Sequence, residues 1–139
     1  MRSNLQIVSE HYAASGRGDI AGMMADVAQD ARWTEMAGFP CAGTWIGPAQ
    51  IVEHVFKVLG GEWDDYRMTL ESLVDGGDCI VGIGSYSGTY KRTGRAMQAR
   101  VTHVWRLAGG KIVGFEQFTD TLLVARAMQI DRAARDSGR

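Results

Sequence analysis

The chain has 139 residues, enough for one domain with a real core, and its 45% hydrophobic and 22% charged content is that of an ordinary globular protein. A net charge of -1 argues against a nucleic-acid binder, and no apolar run approaches the roughly 18 residues needed to cross a bilayer. The opening MRSNLQIVSE lacks the apolar core and cleavage pattern of a secretory signal, so a cytoplasmic protein without membrane partners is expected.

Leu5, Val8 and Tyr12, flanked by Ile7 and His11, recur at three-to-four spacing and predict an amphipathic helix over 3–15, ended by Gly16 and Gly18. Asp19 is suited to cap a second helix with Ile20, Met23, Met24 and Val27 as its buried stripe. The period then changes to two. Ala31, Trp33 and Glu35 alternate with Arg32, Thr34 and Met36 in a short strand, followed by an irregular stretch marked by Gly38, Pro40 and Gly43. Pro48 opens a third helix striped by Ile51, Val52, Val55, Phe56 and Leu59, which Gly60 and Gly61 are expected to stop. His54 falls on its surface side, and Trp45 and Trp63 are free to pack in the core or against another subunit.

From there the chain reads as strand: 64–74, 79–90, 96–107 and 111–119, joined at Gly76-Gly77, Thr93-Gly94 and Gly109-Gly110 in an antiparallel meander. Asp120 or Thr121 caps a last helix from Leu122 to about Ala133, and 134–139 form a frayed tail. Gly82, Gly84 and Gly88 within one strand favour bending. The expected architecture is one α+β domain over 1–139, with its core in 4–125. A strongly curved, cone-shaped antiparallel sheet carries three helices from the first half of the chain over its inner face, with a short C-terminal helix after it.

The third of these strands carries the main functional signal. One parity reads Met97, Ala99, Val101, His103, Trp105, Leu107 and the other Gln98, Arg100, Thr102, Val104, Arg106, which sets His103 on an apolar face. The last strand places Val113, Phe115, Gln117 and Thr119 on one parity, where Gln117 can meet His103 across the pair. Such convergence among aromatic residues defines a pocket hypothesis. Each polar residue also has a plainer reading: His103 as a hydrogen-bonded core residue, Glu35 as a solvated strand end, Gln117 as a satisfied interior amide serving Glu35 or His103. Cys41, Cys79 and three separated histidines show no ligand spacing, so free thiols and no metal are expected.

Four strings, HYAASGRGDIAGMM, DARWTEMAG, GTWIGPAQIVEHVF and RVTHVWRLAGGKIVGFEQFTDT, give the order and spacing of the nuclear transport factor 2-like superfamily. Across 4–125 the chain resembles its SnoaL-like and ketosteroid-isomerase-like branch. The resemblance implies a cone-shaped fold, commonly a homodimer, and a pocket for a small hydrophobic molecule. In ketosteroid isomerases the general base is an aspartate at the end of the first strand, which corresponds to Glu35. Their protonated aspartate donor corresponds to His103, and their tyrosine donor to His11, with Tyr12 adjacent. Polyketide cyclases similar to SnoaL carry a histidine where His103 stands, but their acid–base aspartate is Gln117 here, which cannot take a proton. Limonene-type epoxide hydrolases use an arginine and two aspartates where this chain has Gly84, Tyr86 and Gln117, so that reaction is not implied.

The resemblance therefore implies catalytic roles for Glu35, His103, Gln117, His11 and Tyr12. A substrate-binding lining is expected from Trp33, Phe56, Tyr86, Ala99, Val101, Trp105, Phe115 and Thr119. The implied activity is acid–base catalysis of isomerase, cyclase or dehydratase type on a small carbonyl compound, with no cofactor. A non-catalytic small-molecule-binding module and an interaction domain stand as the alternatives, because the superfamily contains both enzymes and binders.

Overall fold

In the computed structural model, which describes residues 1–129, helices α1 (Asn4–Gly16) and α2 (Ile20–Met24) precede strands β1 (Val27–Glu35) and β2 (Gly43–Ile46). Helix α3 (Gly47–Ile51) passes through a π-helical turn (Val52–Phe56) into α4 (Lys57–Glu62). Strands β3 (Trp63–Asp75), β4 (Cys79–Tyr90), β5 (Ala96–Ala108) and β6 (Lys111–Thr119) follow, then α5 (Thr121–Met128). The portion of the expected last helix beyond residue 129, and the expected 134–139 tail, lie outside the described residues.

The six strands form one curved sheet in the order β2-β1-β6-β5-β4-β3. All neighbours are antiparallel except β1 and β6, which are parallel because everything between them is long enough to serve as a crossover. The curvature has local causes. Pairing of β3 with β4 shifts register between Asp64 and Arg67 and again between Leu70 and Ser72, and such bulges bend the strand that carries them. Gly84 lies opposite the second bulge, where a Cβ would fall 2.1 Å from the Thr69 carbonyl oxygen.

Local chemistry accounts for the element ends. Ser3 and Gln6 form a reciprocal capping box on α1, and Asp19 accepts from the Gly22 N–H at the start of α2. Gly47 takes φ +78° with the Gln29 carbonyl oxygen 2.3 Å from where a Cβ would stand, and Pro48 follows at the first turn of α3.

Three expectations are corrected. Val27 is not on the second helix: it opens β1 opposite Ile112, and Ile20 is 39% exposed, so only Met23 and Met24 of that stripe are buried. The stretch read as irregular contains β2, whose Thr44, Trp45 and Ile46 suit a strand and pair antiparallel with β1. The third helix does not stop at Gly60 and Gly61 but runs through both to Glu62, since helical φ and ψ are open to glycine and the next strand begins only at Trp63.

The inner face of the sheet and the helices enclose one core, including Trp33, Trp105, Phe115, Ile80, Val8 and Val55. A register shift between Arg106 and Leu107 turns Ile112, rather than Val113, into it. Trp63 is buried, Trp45 is half-buried with the exposed His54 stacked on it at 4.4 Å, and Cys41 and Cys79 are free thiols. No described helix is long and apolar enough to cross a membrane.

Candidate functional site

Four polar side chains are buried among the apolar ones: His11, Glu35, His103 and Gln117. Strand parity puts them there. Trp33 and Glu35 share the inner face of β1, while His103 and Gln117 are direct register partners on β5 and β6. His11 reaches the same interior from α1. A cavity of about 750 Å³ opens between helices and sheet. Its walls are Trp33, Phe115, Phe56 and Val55, its polar lining includes Glu35, His11, Tyr12, His103, Tyr66 and Tyr86, and Arg17, Gly18, Asp65 and Arg67 also border it.

Glu35 is 4% exposed. The Trp33 indole N–H donates to its Oε1 at 3.0 Å, and Oε2 has no partner. Burial therefore pushes its pKa up to about 7, with the single Trp33 hydrogen bond opposing. The reading of Glu35 as a solvated strand end does not hold, because the inner face of β1 is covered along its whole length.

His103 sits at the centre of a hydrogen-bonded hub. Its Nδ1 lies 2.8 Å from the Tyr12 hydroxyl and its Nε2 2.6 Å from the Tyr86 hydroxyl. The Trp105 indole N–H donates to Tyr12 at 2.8 Å, and the Gln117 amide N–H donates to Tyr86 at 2.7 Å. Gln117 Oε1 accepts from the Met36 backbone N–H at 3.3 Å, which fixes the direction of the amide. Burial, and secondarily His11, lower the His103 pKa to about 3, so the ring is neutral at ordinary pH. Burial raises the Tyr12 and Tyr86 phenols above their usual range.

His11 donates from Nδ1 to the Met23 carbonyl at 2.9 Å and is held to about 4 by burial, against that hydrogen bond. It is Tyr12, not its neighbour His11, that engages His103. Gly82 makes this possible: a Cβ there would fall 2.3 Å from the Tyr12 hydroxyl oxygen, so the glycine read as a bending residue is also the floor beneath Tyr12.

The structure thus brings Glu35, His103, His11 and Tyr12 together with Trp33, Phe56, Tyr86 and Phe115 around one cavity. The other expected residues lie elsewhere. Gln117 is fully buried behind Tyr86 and contacts the cavity only through it. Trp105 is fully buried and supports Tyr12. Ala99 and Val101 do face inward, but α5 packs against β4 and β5 and the cavity ends short of them. Val101 and Thr119 instead border a separate groove of about 230 Å³, with the Thr119 hydroxyl donating to the Arg100 carbonyl at 2.8 Å.

One cavity residue escaped the sequence reading. Tyr66 lines the cavity with a buried hydroxyl that has no partner. Its signal was the Tyr66, Met68, Leu70 parity. The count from the buried Trp63 misleads because the bulge at Asp65, φ +53°, inserts an extra residue and turns Tyr66 inward.

A curved mixed sheet with helices over its concave face, enclosing a half-apolar cavity with one carboxylate and a histidine–tyrosine hub, defines a nuclear transport factor 2-like protein. The SnoaL-like domain model matches residues 8–115, and the chain belongs to that family. A nuclear transport factor 2-like protein from Burkholderia thailandensis E264 is 61% identical over 94% of this chain and 100% of its own, with a TM-score of 0.93. One of unknown function from Burkholderia pseudomallei K96243 is 30% identical over 94% and 100%, with a TM-score of 0.84. A protein of ketosteroid isomerase-like fold from Catenulispora acidiphila DSM 44928, at 18% identity over 90% and 94% and a TM-score of 0.74, shares the fold. No curated protein matches the chain.

Proposed function

We propose that this protein is an acid–base enzyme that moves a proton on a small, flat, hydrophobic carbonyl compound, in a reaction of isomerase, cyclase or dehydratase type. One observation carries the reading. Glu35 is a buried carboxyl with one bare oxygen in an aromatic-walled cavity, poised at a pKa of about 7. A carboxylate in that setting has lost its hydration, and a base whose pKa lies near the working pH balances availability against strength.

In the proposed step a Glu35 oxygen takes the proton from the carbon next to the carbonyl. The C–H electron pair moves into the enolate, whose charge settles on oxygen, and the proton returns from Glu35 to this or another carbon. A hydrogen-bond donor aimed at that oxygen lowers the barrier, as in the handed-out roles of carboxylate base and neutral donors seen in ketosteroid isomerase. The chemistry needs no cofactor. We further propose a homodimer through the outer face of the sheet, supported by Phe118, which is 46% exposed there.

The binding-module reading retains one specific support. Gln117 stands where the similar cyclases carry an acid–base aspartate, and it is turned away from the cavity into the hub. Deuterium exchange into cyclic ketones, with wild type and Glu35→Gln, separates the two readings. Exchange that requires Glu35 supports the enzyme; ligand-induced thermal stabilisation without any exchange supports the binding module.

A further inference from the structure

We infer that the Tyr86 hydroxyl is the donor that meets the oxygen of a bound carbonyl compound, and that His103 is a positioning residue which frees the Tyr86 proton for that purpose. The inference deepens the proposed function and rests on it for the identity of the ligand oxygen. It follows from counting protons in the hub.

Trp105 Nε1 can only donate, so the Tyr12 oxygen accepts from it. The Gln117 amide nitrogen likewise donates to the Tyr86 oxygen, with its direction locked by Met36. A neutral imidazole supplies one N–H and one lone pair, and each phenol supplies one O–H. If the proton of His103 is on Nε2, it is donated to Tyr86, and Tyr12 donates its own to Nδ1. The Tyr86 oxygen then accepts twice, and its proton has no acceptor among the described residues. If the proton is on Nδ1 the pattern reverses and the Tyr12 proton is left over. Either way one phenolic proton remains to be donated into the cavity, which both tyrosines line.

Two observations select Tyr86. Its ring packs 5.4 Å from Tyr66, whose own hydroxyl is unpartnered, so the spare donor and the second unused hydroxyl share one part of the cavity. The charge of Glu35 also bears on both Tyr86 and Tyr66 and is not among the influences on Tyr12, which places base and donor close enough to act on one small molecule. The recognised group is therefore a hydrogen-bond acceptor, a carbonyl oxygen in the ground state and an enolate oxygen after proton removal.

The test has two readouts. In protein labelled with 15N-histidine, the His103 signals at pH 7 are expected to show the Nε2–H tautomer; an Nδ1–H tautomer or an imidazolium overturns the assignment, whatever the protein catalyses. With 13C-carbonyl 2-tetralone bound, the infrared carbonyl stretch is expected at lower frequency than in water-free solvent, and Tyr86→Phe should return it toward the solvent value. Affinity for the ketone should fall by about 3- to 10-fold in that variant, in keeping with one neutral hydrogen bond. A stretch that is unshifted in wild type, or equally shifted in Tyr86→Phe, overturns the role of Tyr86. Failure of 2-tetralone to bind contradicts the small-ketone reading of the site instead, and the tautomer then decides the Tyr86 assignment alone.

Discussion

Trp33 and Glu35 lie two residues apart on one strand, and the Trp33 indole N–H holds one Glu35 oxygen at 3.0 Å while the other stays bare. That one-sided support leaves the carboxyl short of the hydrogen bonds an anion needs in a buried site. Its folded pKa of about 7 lies above the ordinary value of 4.5, so the folded state holds the proton more tightly than the unfolded state. Stability from this group is complete below about pH 4.5 and is lost as pH rises through 7. Glu35→Gln removes that loss. Measured by urea unfolding, the stability of Glu35→Gln relative to wild type should improve by about 3 kcal/mol between pH 4.5 and pH 8.5. A pH-independent difference between the two would contradict the buried-carboxyl account.

His103 and His11 act in the opposite direction. Their folded pKa values of about 3 and about 4 lie below the ordinary 6.5, so the unfolded state gains protons first on acidification. Their contribution is intact above pH 6.5 and is lost as pH falls towards 4 and 3. Between pH 6.5 and 4.5 wild type should therefore lose stability, and Glu35→Gln should lose more, because the opposing gain from Glu35 is absent. Unfolding curves at those two pH values check both statements.

Gly82 and Tyr12 give a packing prediction. A methyl at Gly82 would stand 2.3 Å from the Tyr12 hydroxyl oxygen, so Gly82→Ala must displace Tyr12 and break its bonds to His103 and Trp105. The cost should be about 2–4 kcal/mol. Gly114→Ala meets nothing nearer than the Arg106 side chain at 3.4 Å and should cost less than about 1 kcal/mol. Equal unfolding midpoints for the two variants would contradict the placement of Tyr12.

Much of this was readable in the sequence because a strand repeats every two residues. The parity that set His103 among Met97, Val101 and Trp105 is the parity observed, and the glycine pairs marked the turns between the long strands. What failed did so where an extra residue or a distant partner decides the outcome. The bulge at Asp65 hid Tyr66, and the bulge at Arg106 moved Ile112 rather than Val113 into the core. Tyr12 and His103 are 91 positions apart, so nothing local announced that both ring nitrogens would be taken by tyrosines. Gln117 read correctly as an interior amide, but its partner proved to be Tyr86 rather than Glu35 or His103.

Val101→Asp and Thr102→Asp test the register directly. Val101 is 3% exposed on the inner face, and Thr102 points the other way with partial exposure. The first substitution should cost several kcal/mol through lost burial and an unpaired buried charge, roughly 3–5 kcal/mol, and the second far less. Thermal melts that coincide would show the strand to be reversed.

The most direct test of the central claim is the pH dependence of deuterium exchange at the carbon next to the carbonyl of 2-tetralone, followed by mass spectrometry. Catalysed exchange should rise with pH to a plateau with its midpoint near 7, the Glu35 value, and Glu35→Gln should abolish it while the ketone still binds. Exchange that persists at the wild-type rate in Glu35→Gln would contradict the account.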